Sequence, residues 1–320
     1  MTKTRNRRVI LRVEGNDIIG YGHFVRCLTI ARYLKPDFEC VFSMSQASVW
    51  SQMQLAELQI SCTALQSRPQ FPPDDARSAE PWPFDLETVL KVGDILVLDG
   101  YRFDSTFHER ARYMGAKTIR IVDDFEQPAD CDAIITQLPV EHAMILAKLG
   151  IQSAWTGLDG FLVRPEFYKA RDWNVPIRYD YLIYSTTSES ETFYSSLLEL
   201  RGKRVLAITN QNHEARCKDS GWETAQNLNA ADMAAAMKSC ASAILPASTI
   251  AIEFLTATDR IPLVAALASN QEVAFRIFCN SGAFRAFDSF GPRAPQTPFV
   301  SPWRPNFTPK NLKAWFHGSI

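Results

Sequence analysis

Short apolar runs rich in β-branched residues alternate along this chain with stretches whose apolar positions recur every three or four residues. That alternation predicts parallel strands joined by crossover helices. A first strand is read at Val9–Glu14, after which Phe24, Cys27, Leu28, Ala31 and Leu34 line one helix face that Pro36 ends. Phe38–Ser43 reads as a second strand. Asp94–Asp99 is apolar at every position between its two acids, as a central strand covered on both faces requires. A helix over Ser105–Met114, closed by Gly115, and strands at Lys117–Asp123 and Asp132–Gln137 complete one open, wound sheet.

The pattern then restarts. Arg164–Arg178 holds Pro165, Pro176 and many charges, so 166–178 reads as a linker. Strands are expected at Tyr179–Tyr184, Arg204–Thr209, Ala241–Leu245 and Ile261–Leu267. Helices are expected at Ala230–Cys240, Thr249–Ala257 and Asn270–Asn280, the last stopped by Ser281 and Gly282. The expectation is an α/β chain of two Rossmann-like domains, 1–165 and 179–290, facing across a cleft. Two stretches break the pattern. Arg68–Pro83 carries Pro69, Pro72, Pro73, Pro81 and Pro83 and is expected as a surface loop. The Pro-rich segment 291–320 lacks periodicity, yet Phe299, Trp303, Phe307, Trp315 and Phe316 are too apolar to leave in water, so it is expected to pack back on the body.

Composition narrows the class. With 46% hydrophobic and 22% charged residues over 320 positions, the chain has the balance of a globular protein. A net charge of −1 gives no basic face for nucleic acid. Lys3, Arg5, Arg7 and Arg8 read as a solvated terminus, and Val9–Leu11 is too short for a signal-peptide core. No stretch approaches a membrane span. A cytoplasmic monomer without nucleic-acid or membrane partners is therefore expected. The seven cysteines are odd in number and never spaced C-x-x-C, which excludes a disulfide scaffold and a zinc knuckle. Cys27, Cys240 and Cys279 read as small buried hydrophobes.

The candidate chemistry begins where the first strand turns into the first helix, Glu14-Gly15-Asn16-Asp17-Ile18-Ile19-Gly20-Tyr21-Gly22-His23. Glycines there allow a tight turn and close approach to a ligand, and free N–H groups at the helix start favour an anion. Gly20, Tyr21 and Gly22 are the candidate contacts, and His23 stands where the ligand would lie. The third glycine of the dinucleotide fingerprint is missing, so NAD is not expected. In the second half, Ser248 and Thr249 open the helix that carries Glu253, an anion-friendly start that also fits plain capping with a solvated glutamate. Asn270 and Gln271 start the next helix, where capping alone also explains Asn270. Asp123 and Asp124 read as loop-forming acids, and His108, beside Glu109, Arg110 and Arg112, as solvent-facing. His142, His213 and His317 have no partners at ligand spacing, so neither a metal nor a cofactor is expected.

Ile19-Gly20-Tyr21-Gly22-His23-Phe24-Val25-Arg26-Cys27-Leu28-Thr29-Ile30-Ala31 is similar to the pattern I-G-x-G-H-x-x-R-x-L-x-L-A. Leu98–Tyr101, Val122–Asp124, Cys131-Asp132, Leu162–Phe167, Pro246–Glu253 and Asn270–Glu272 follow in order. On these residues the chain resembles the UDP-sugar hydrolase family of pseudaminic acid biosynthesis, which acts on UDP-2,4-diacetamido-2,4,6-trideoxy-β-L-altropyranose. The resemblance implies a GT-B fold, nucleotide binding by the Pro246–Glu253 and Asn270–Glu272 elements with Glu253 on the ribose hydroxyls, and C–O cleavage with inversion. The chain departs from the family at Tyr184-Ser185-Thr186-Thr187-Ser188-Glu189, where a glycine pair is usual. Hydroxyls of Ser185, Thr186 and Thr187 then take the place of bare backbone as donors to the ligand.

The expected reaction follows. Without a metal, attack of water on the anomeric carbon is favoured over attack on phosphorus, because UDP is already a good leaving group. His23 is the expected base, with Asp99 and Tyr101 positioning it or the sugar. The products are UDP and a free 2,4-diacetamido-2,4,6-trideoxyhexose. A GT-B glycosyltransferase using a UDP-sugar and a non-catalytic nucleotide-sugar binding protein are the alternatives.

Overall fold

The computed structural model describes residues 7–15, 21–65, 82–100, 103–123, 130–138, 146–147, 149–151, 153–156, 161–185, 191–267, 271–282, 284–287 and 309–318. The chain divides into two compact units, Met1–Leu162 with Phe307–Ile320, and Val163–Asn306.

In the first unit, β1 (Arg8–Val13), α1 (Gly22–Leu34), β2 (Glu39–Met44), α2 (Val49–Glu57) and β3 (Ser61–Ala64) are followed by α3 (Phe84–Val89) and β4 (Ile95–Asp99). Then come α4 (Ser105–Tyr113), β5 (Lys117–Ile121), β6 (Ala133–Ile135) and β7 (Ser153–Trp155). The strands form one parallel sheet in the order β3-β2-β1-β4-β5-β6-β7. Every residue of β4 is buried, as a strand with helices on both faces must be. Ile10, Leu96 and Leu98 pack with Phe103, Phe107 and Ala111 to make part of that core. Helix α1 packs on β1, β2 and β4, and Phe24 meets Phe42 with ring centroids 5.5 Å apart. This seating depends on Gly15, since a Cβ there would fall 2.5 Å from the Cβ of Phe24. From β1 the chain winds outward to β3, then returns to place β4 on the other side of β1. A crevice therefore opens at the carboxyl ends of β1 and β4, where the winding reverses.

The second unit holds α5 (Pro165–Ala170), β8 (Tyr179–Ser185), α6 (Glu191–Leu197), β9 (Val205–Thr209), α7 (Gln211–Asp219) and β10 (Glu223–Ala225). It continues with α8 (Ala230–Lys238), β11 (Cys240–Pro246), α9 (Thr249–Thr258), β12 (Leu263–Ala265), α10 (Glu272–Asn280) and β13 (Arg285–Ala286). Its sheet is also parallel, in the order β10-β9-β8-β11-β12-β13, with the reversal between β8 and β11. The stretch 166–178 does not begin as a linker. It opens as α5, packed on α8 and α9, with Phe167 and Ala170 fully buried. Pro165 sits in the first helical turn, where its missing N–H has no helix partner to lose, so the proline marks a helix start.

The last helix, α11 (Pro309–Gly318), belongs to the first unit and packs on α1. Leu312 and Phe316 are fully buried, Trp315 lies 5.9 Å from Trp155, and Lys313 pairs with Asp37 at 2.8 Å. Residues 68–81 of the Pro-rich loop and 291–308 of the terminal segment lie outside the described residues. Among the described residues no helix is long and apolar enough to cross a membrane. The solvent-facing expectation for His108 is overturned: it is 1% exposed, because Phe107, His108 and Ala111 form the inner stripe of α4.

Candidate functional site

His23 and Arg26 lie one turn apart on α1, so their side chains share a face. That face looks across the crevice to Asp99, the last residue of β4, held between Val13 of β1 and Ile121 of β5. The Asp99 carboxylate is fully buried. His23 Nδ1 stands 2.7 Å from its Oδ1. Arg26 donates from Nε to Oδ2 at 2.8 Å and from Nη2 to Oδ1 at 2.6 Å. The same Nη2 donates to Asp123 Oδ2 at 2.9 Å, and Nη1 donates to Asp123 Oδ1. One guanidinium thus spans two carboxylates from adjacent strand ends.

The electrostatics fix the charge states. Burial works against the ionised Asp99, but Arg26 and then His23 outweigh it and hold the carboxyl well below the usual range. Asp123 is lowered by the same contest, burial against Arg26. Burial opposes the Arg26 cation too, yet Asp123 and Asp99 raise it well above its ordinary value. Burial and the nearby Asp99 push the Cys27 thiol up, so it remains a thiol, its Sγ 3.7 Å from Asp99 Oδ2.

These charges also select the imidazole tautomer. Nδ1 lies 2.7 Å from the ionised Asp99 Oδ1 and 3.0 Å from Arg26 Nη2; the shorter contact, lone pair against carboxylate lone pairs if Nδ1 were bare, assigns the proton to Nδ1, which donates it to Asp99. Nε2 is then the basic nitrogen. A small indentation at this cluster is lined by His23, Arg26, Gly100, Arg120, Ile121, Val122 and Asp123. An imidazole oriented by a buried carboxylate can take a proton from an adjacent hydroxyl or water, because the carboxylate stabilises the imidazolium that forms.

Of the residues singled out in the sequence, His23 and Asp99 come together. Tyr21 caps the start of α1 through its backbone and sets its ring 4.7 Å from Trp50, while Gly22 has open space above its Cα. Gly20, Tyr101, Thr186, Thr187 and Asn270 lie outside the described residues. Ser185 ends β8 at the level where β11 ends, and Ser248 and Thr249 follow β11 directly. They therefore share the carboxyl-end crevice of the second sheet. Ser248 makes no side-chain cap, leaving its hydroxyl uncommitted to the helix start.

Glu253 is not solvated. It is 2% exposed, and Arg164 donates to both its oxygens, Nε to Oε1 at 2.7 Å and Nη2 to Oε2 at 2.8 Å. Burial disfavours the Arg164 cation, and Glu253 more than restores it. Gln271 turns inward as well, its Oε1 accepting from Leu267 N at 2.9 Å and so bracing the end of the β12 loop. The sequence reading missed Arg26 and Asp123. The signal available was an arginine one turn after the histidine and an acid at a neighbouring strand end; their pairing is tertiary. Among the described residues no group of three His, Cys, Asp or Glu side chains is gathered to hold a metal ion.

No family model matches the chain, and no curated protein sequence matches it. Solved structures do match along nearly its whole length. The UDP-GlcNAc 2-epimerase of Methanocaldococcus jannaschii, solved with UDP-GlcNAc and UDP, gives a TM-score of 0.59 at 11% identity, covering 97% of this chain and 98% of that one. MurG of Acinetobacter baumannii gives 0.52 at 12% identity, covering 97% and 90%. A UDP-glucosyltransferase from Polygonum tinctorium gives 0.57 at 13% identity, covering 93% and 87%. At such identities the likeness shows the fold, two parallel-sheet α/β domains of the GT-B type.

Proposed function

We propose that this protein is a nucleotide-sugar hydrolase that releases UDP and a free sugar by attack of water on the anomeric carbon. The observation that carries the reading is the 2.7 Å contact between His23 Nδ1 and the buried, ionised Asp99. It leaves Nε2 as the basic nitrogen of a histidine that lines an indentation at the switch point of the first sheet. Structural neighbours named for UDP-GlcNAc epimerisation and UDP-glucosyl transfer support a UDP-sugar as the ligand class.

In this reading the first domain holds the reacting sugar and the second the nucleotide. Water bonds to C1 through its oxygen while the C1–O bond to the diphosphate breaks, its electron pair leaving with UDP. The water proton passes to Nε2 of His23, and Asp99 stabilises the imidazolium. Tyr101, two residues beyond Asp99, positions the sugar. Gly20, Tyr21 and Gly22 let the loop approach the ligand closely. Ser185, Thr186, Thr187, Ser248, Thr249, Asn270 and Gln271 supply donors to the nucleotide, and Glu253, braced by Arg164, offers remaining lone pairs to ribose hydroxyls. The resemblance to the pseudaminic acid hydrolases favours a 2,4-diacetamido-2,4,6-trideoxyhexose as the sugar.

Product mass spectrometry on a panel of UDP-sugars in ¹⁸O-water tests the reaction. Label in the free sugar is the expected result, and label in UDP rejects anomeric attack. His23→Ala is expected to lower turnover by roughly 10²–10⁴ with the fold intact. A second reading, a UDP-sugar glycosyltransferase, is favoured by the fold shared with the Polygonum tinctorium enzyme. Sugar release in the absence of any acceptor decides for the hydrolase.

A further inference from the structure

Asp123 shares the His23 side of the first sheet. In the β4–β5 register Asp99 pairs with Ile121, Asp123 follows two residues on, and Arg26 of α1 reaches both acids. Arg120 pairs with Leu98, so its charge belongs to the opposite face, where it acts on His108 of α4. Arg26 Nη2 stands 2.6 Å from Asp99 Oδ1, 2.9 Å from Asp123 Oδ2 and 3.0 Å from His23 Nδ1. One nitrogen thus adjoins both acids and the ring, and the second carboxylate is not remote from the imidazole. Against burial, Asp123 is held low by Arg26 first and then by His23, and Asp99 is held low by the same two partners. Cys27, its thiol pushed up by burial and by Asp99, adds no charge.

We propose that Asp123 is a positioning residue for the base: it shares Arg26 with Asp99 and so leaves the Asp99–Arg26–Asp123 cluster with one unit of negative charge to receive the proton of the attacking water. This rests on the hydrolase reading and deepens it. With Asp99 alone, the Arg26 cation would neutralise its partner and leave the ring beside an uncharged pair. With Asp123 added, two carboxylates stand against one guanidinium and the ring faces an excess of negative charge. When Nε2 accepts a proton, cluster and ring together become neutral. Proton uptake that cancels charge, rather than creating it, favours a base whose side chain is largely buried.

Two readouts test this, the NMR titration of the His23 ring in histidine-labelled protein and the pH profile of kcat/KM. The chain has five histidines, and His23→Gln assigns the signal. Asp123→Asn keeps an oxygen for Arg26 and removes the charge. Its midpoint is expected about one pH unit below that of wild type in both readouts, with plateau turnover lowered roughly 3- to 10-fold. Asp123→Glu keeps the charge and is expected to stay near wild type, whereas Arg26→Gln moves the midpoint up. Asp219→Asn, exposed on α7, controls for net charge and leaves the midpoint in place. An Asp123→Asn midpoint equal to that of wild type overturns the inference even where turnover falls, because holding Arg26 in place is then its whole role. An equal shift in Asp219→Asn overturns it too. If wild type releases sugar from no UDP-sugar, the hydrolase reading fails, and the ring titration alone decides whether Asp123 charges the cluster. Should Asp123→Asn fail to fold, Asp123→Ser carries the same comparison.

Discussion

Arg26 meets Asp99 side on, Nε to one carboxylate oxygen at 2.8 Å and Nη2 to the other at 2.6 Å, while His23 takes the remaining approach to Oδ1. Three donors thus converge on one buried acceptor. An asparagine at 99 would keep the shape but turn an NH₂ toward donors and remove the charge that holds the proton on Nδ1. Asp99→Asn is expected to lower turnover about 10²–10⁴-fold with little change in KM, since it misorients the base without touching the nucleotide. Steady-state kinetics check this, and a KM effect without a turnover effect rejects the orienting role.

Arg26 itself holds two carboxylates in a buried setting. Arg26→Met keeps the length and removes the charge, leaving Asp99 and Asp123 without their counterion. Breaking a buried pair from one side typically costs roughly 3–5 kcal/mol. The sign with pH follows from both folded carboxyls lying below their ordinary values. Their contribution is present above the ordinary carboxylate range and is lost as pH falls through and below it. In Arg26→Met burial alone raises them, so acid lability begins at a higher pH. Urea midpoints across pH 3 to 8 measure both effects.

What the sequence disclosed divides along physical lines. Strands such as β1 and β4 were legible because parallel strands buried on both faces leave unbroken apolar runs. The edge strand β3 was not, since three of its four residues are exposed and it carries no such run. Helix α7 escaped for a similar reason, with Cys217 as its buried residue and polar side chains elsewhere. His23 stood out because a glycine-rich strand-to-helix turn is locally encoded. Its supporting cluster did not, because Arg26 and Asp123 are 97 residues apart and meet only through strand order. The charges flanking His108 suggested solvent, while the narrow stripe that buries it is one residue in three or four.

His108 offers a test of that burial. Burial, then Arg120 and Arg112, bring its pKa from 6.5 down to about 4. The unfolded chain therefore binds more protons than the folded one between these values. Stability is full above pH 6.5 and falls as pH drops from about 6.5 toward 4, by up to about 3 kcal/mol. Among the described residues neither ring nitrogen has a hydrogen-bond partner, so His108→Leu forfeits no hydrogen bond there. It is expected to fold at least as stably at pH 7 and to lose most of the slope below it. Denaturant melts at intervals from pH 7.5 to 4.5 show this, and an unchanged slope refutes it.

Gly15 sets how closely α1 approaches β1. Gly15→Ala would place its Cβ 2.5 Å from the Cβ of Phe24, far inside contact distance, at a point where backbone rather than a flexible tip must give way. Overpacking of this kind costs about 1–3 kcal/mol. Because the shift falls at the start of the helix that carries His23, turnover is expected to drop along with the melting temperature. A variant with wild-type Tm and turnover would show that the junction yields freely.

The pairing of Glu253 with Arg164 raises the question whether this carboxylate only braces α9 or also meets the nucleotide. The two roles separate experimentally. As a brace, Glu253→Gln leaves a largely buried guanidinium unpaired and costs roughly 3–5 kcal/mol in urea denaturation. As a ribose acceptor, it should also make wild type prefer UDP over 2′-deoxy-UDP, because the lost hydroxyl leaves a charged acceptor unfilled. One charge-assisted hydrogen bond corresponds to a preference of about tenfold or more. Both effects are expected: Glu253→Gln lowers stability and levels the two nucleotides. If stability falls while wild type already binds UDP and 2′-deoxy-UDP equally, the carboxylate is a brace alone and its proposed ribose contact is rejected.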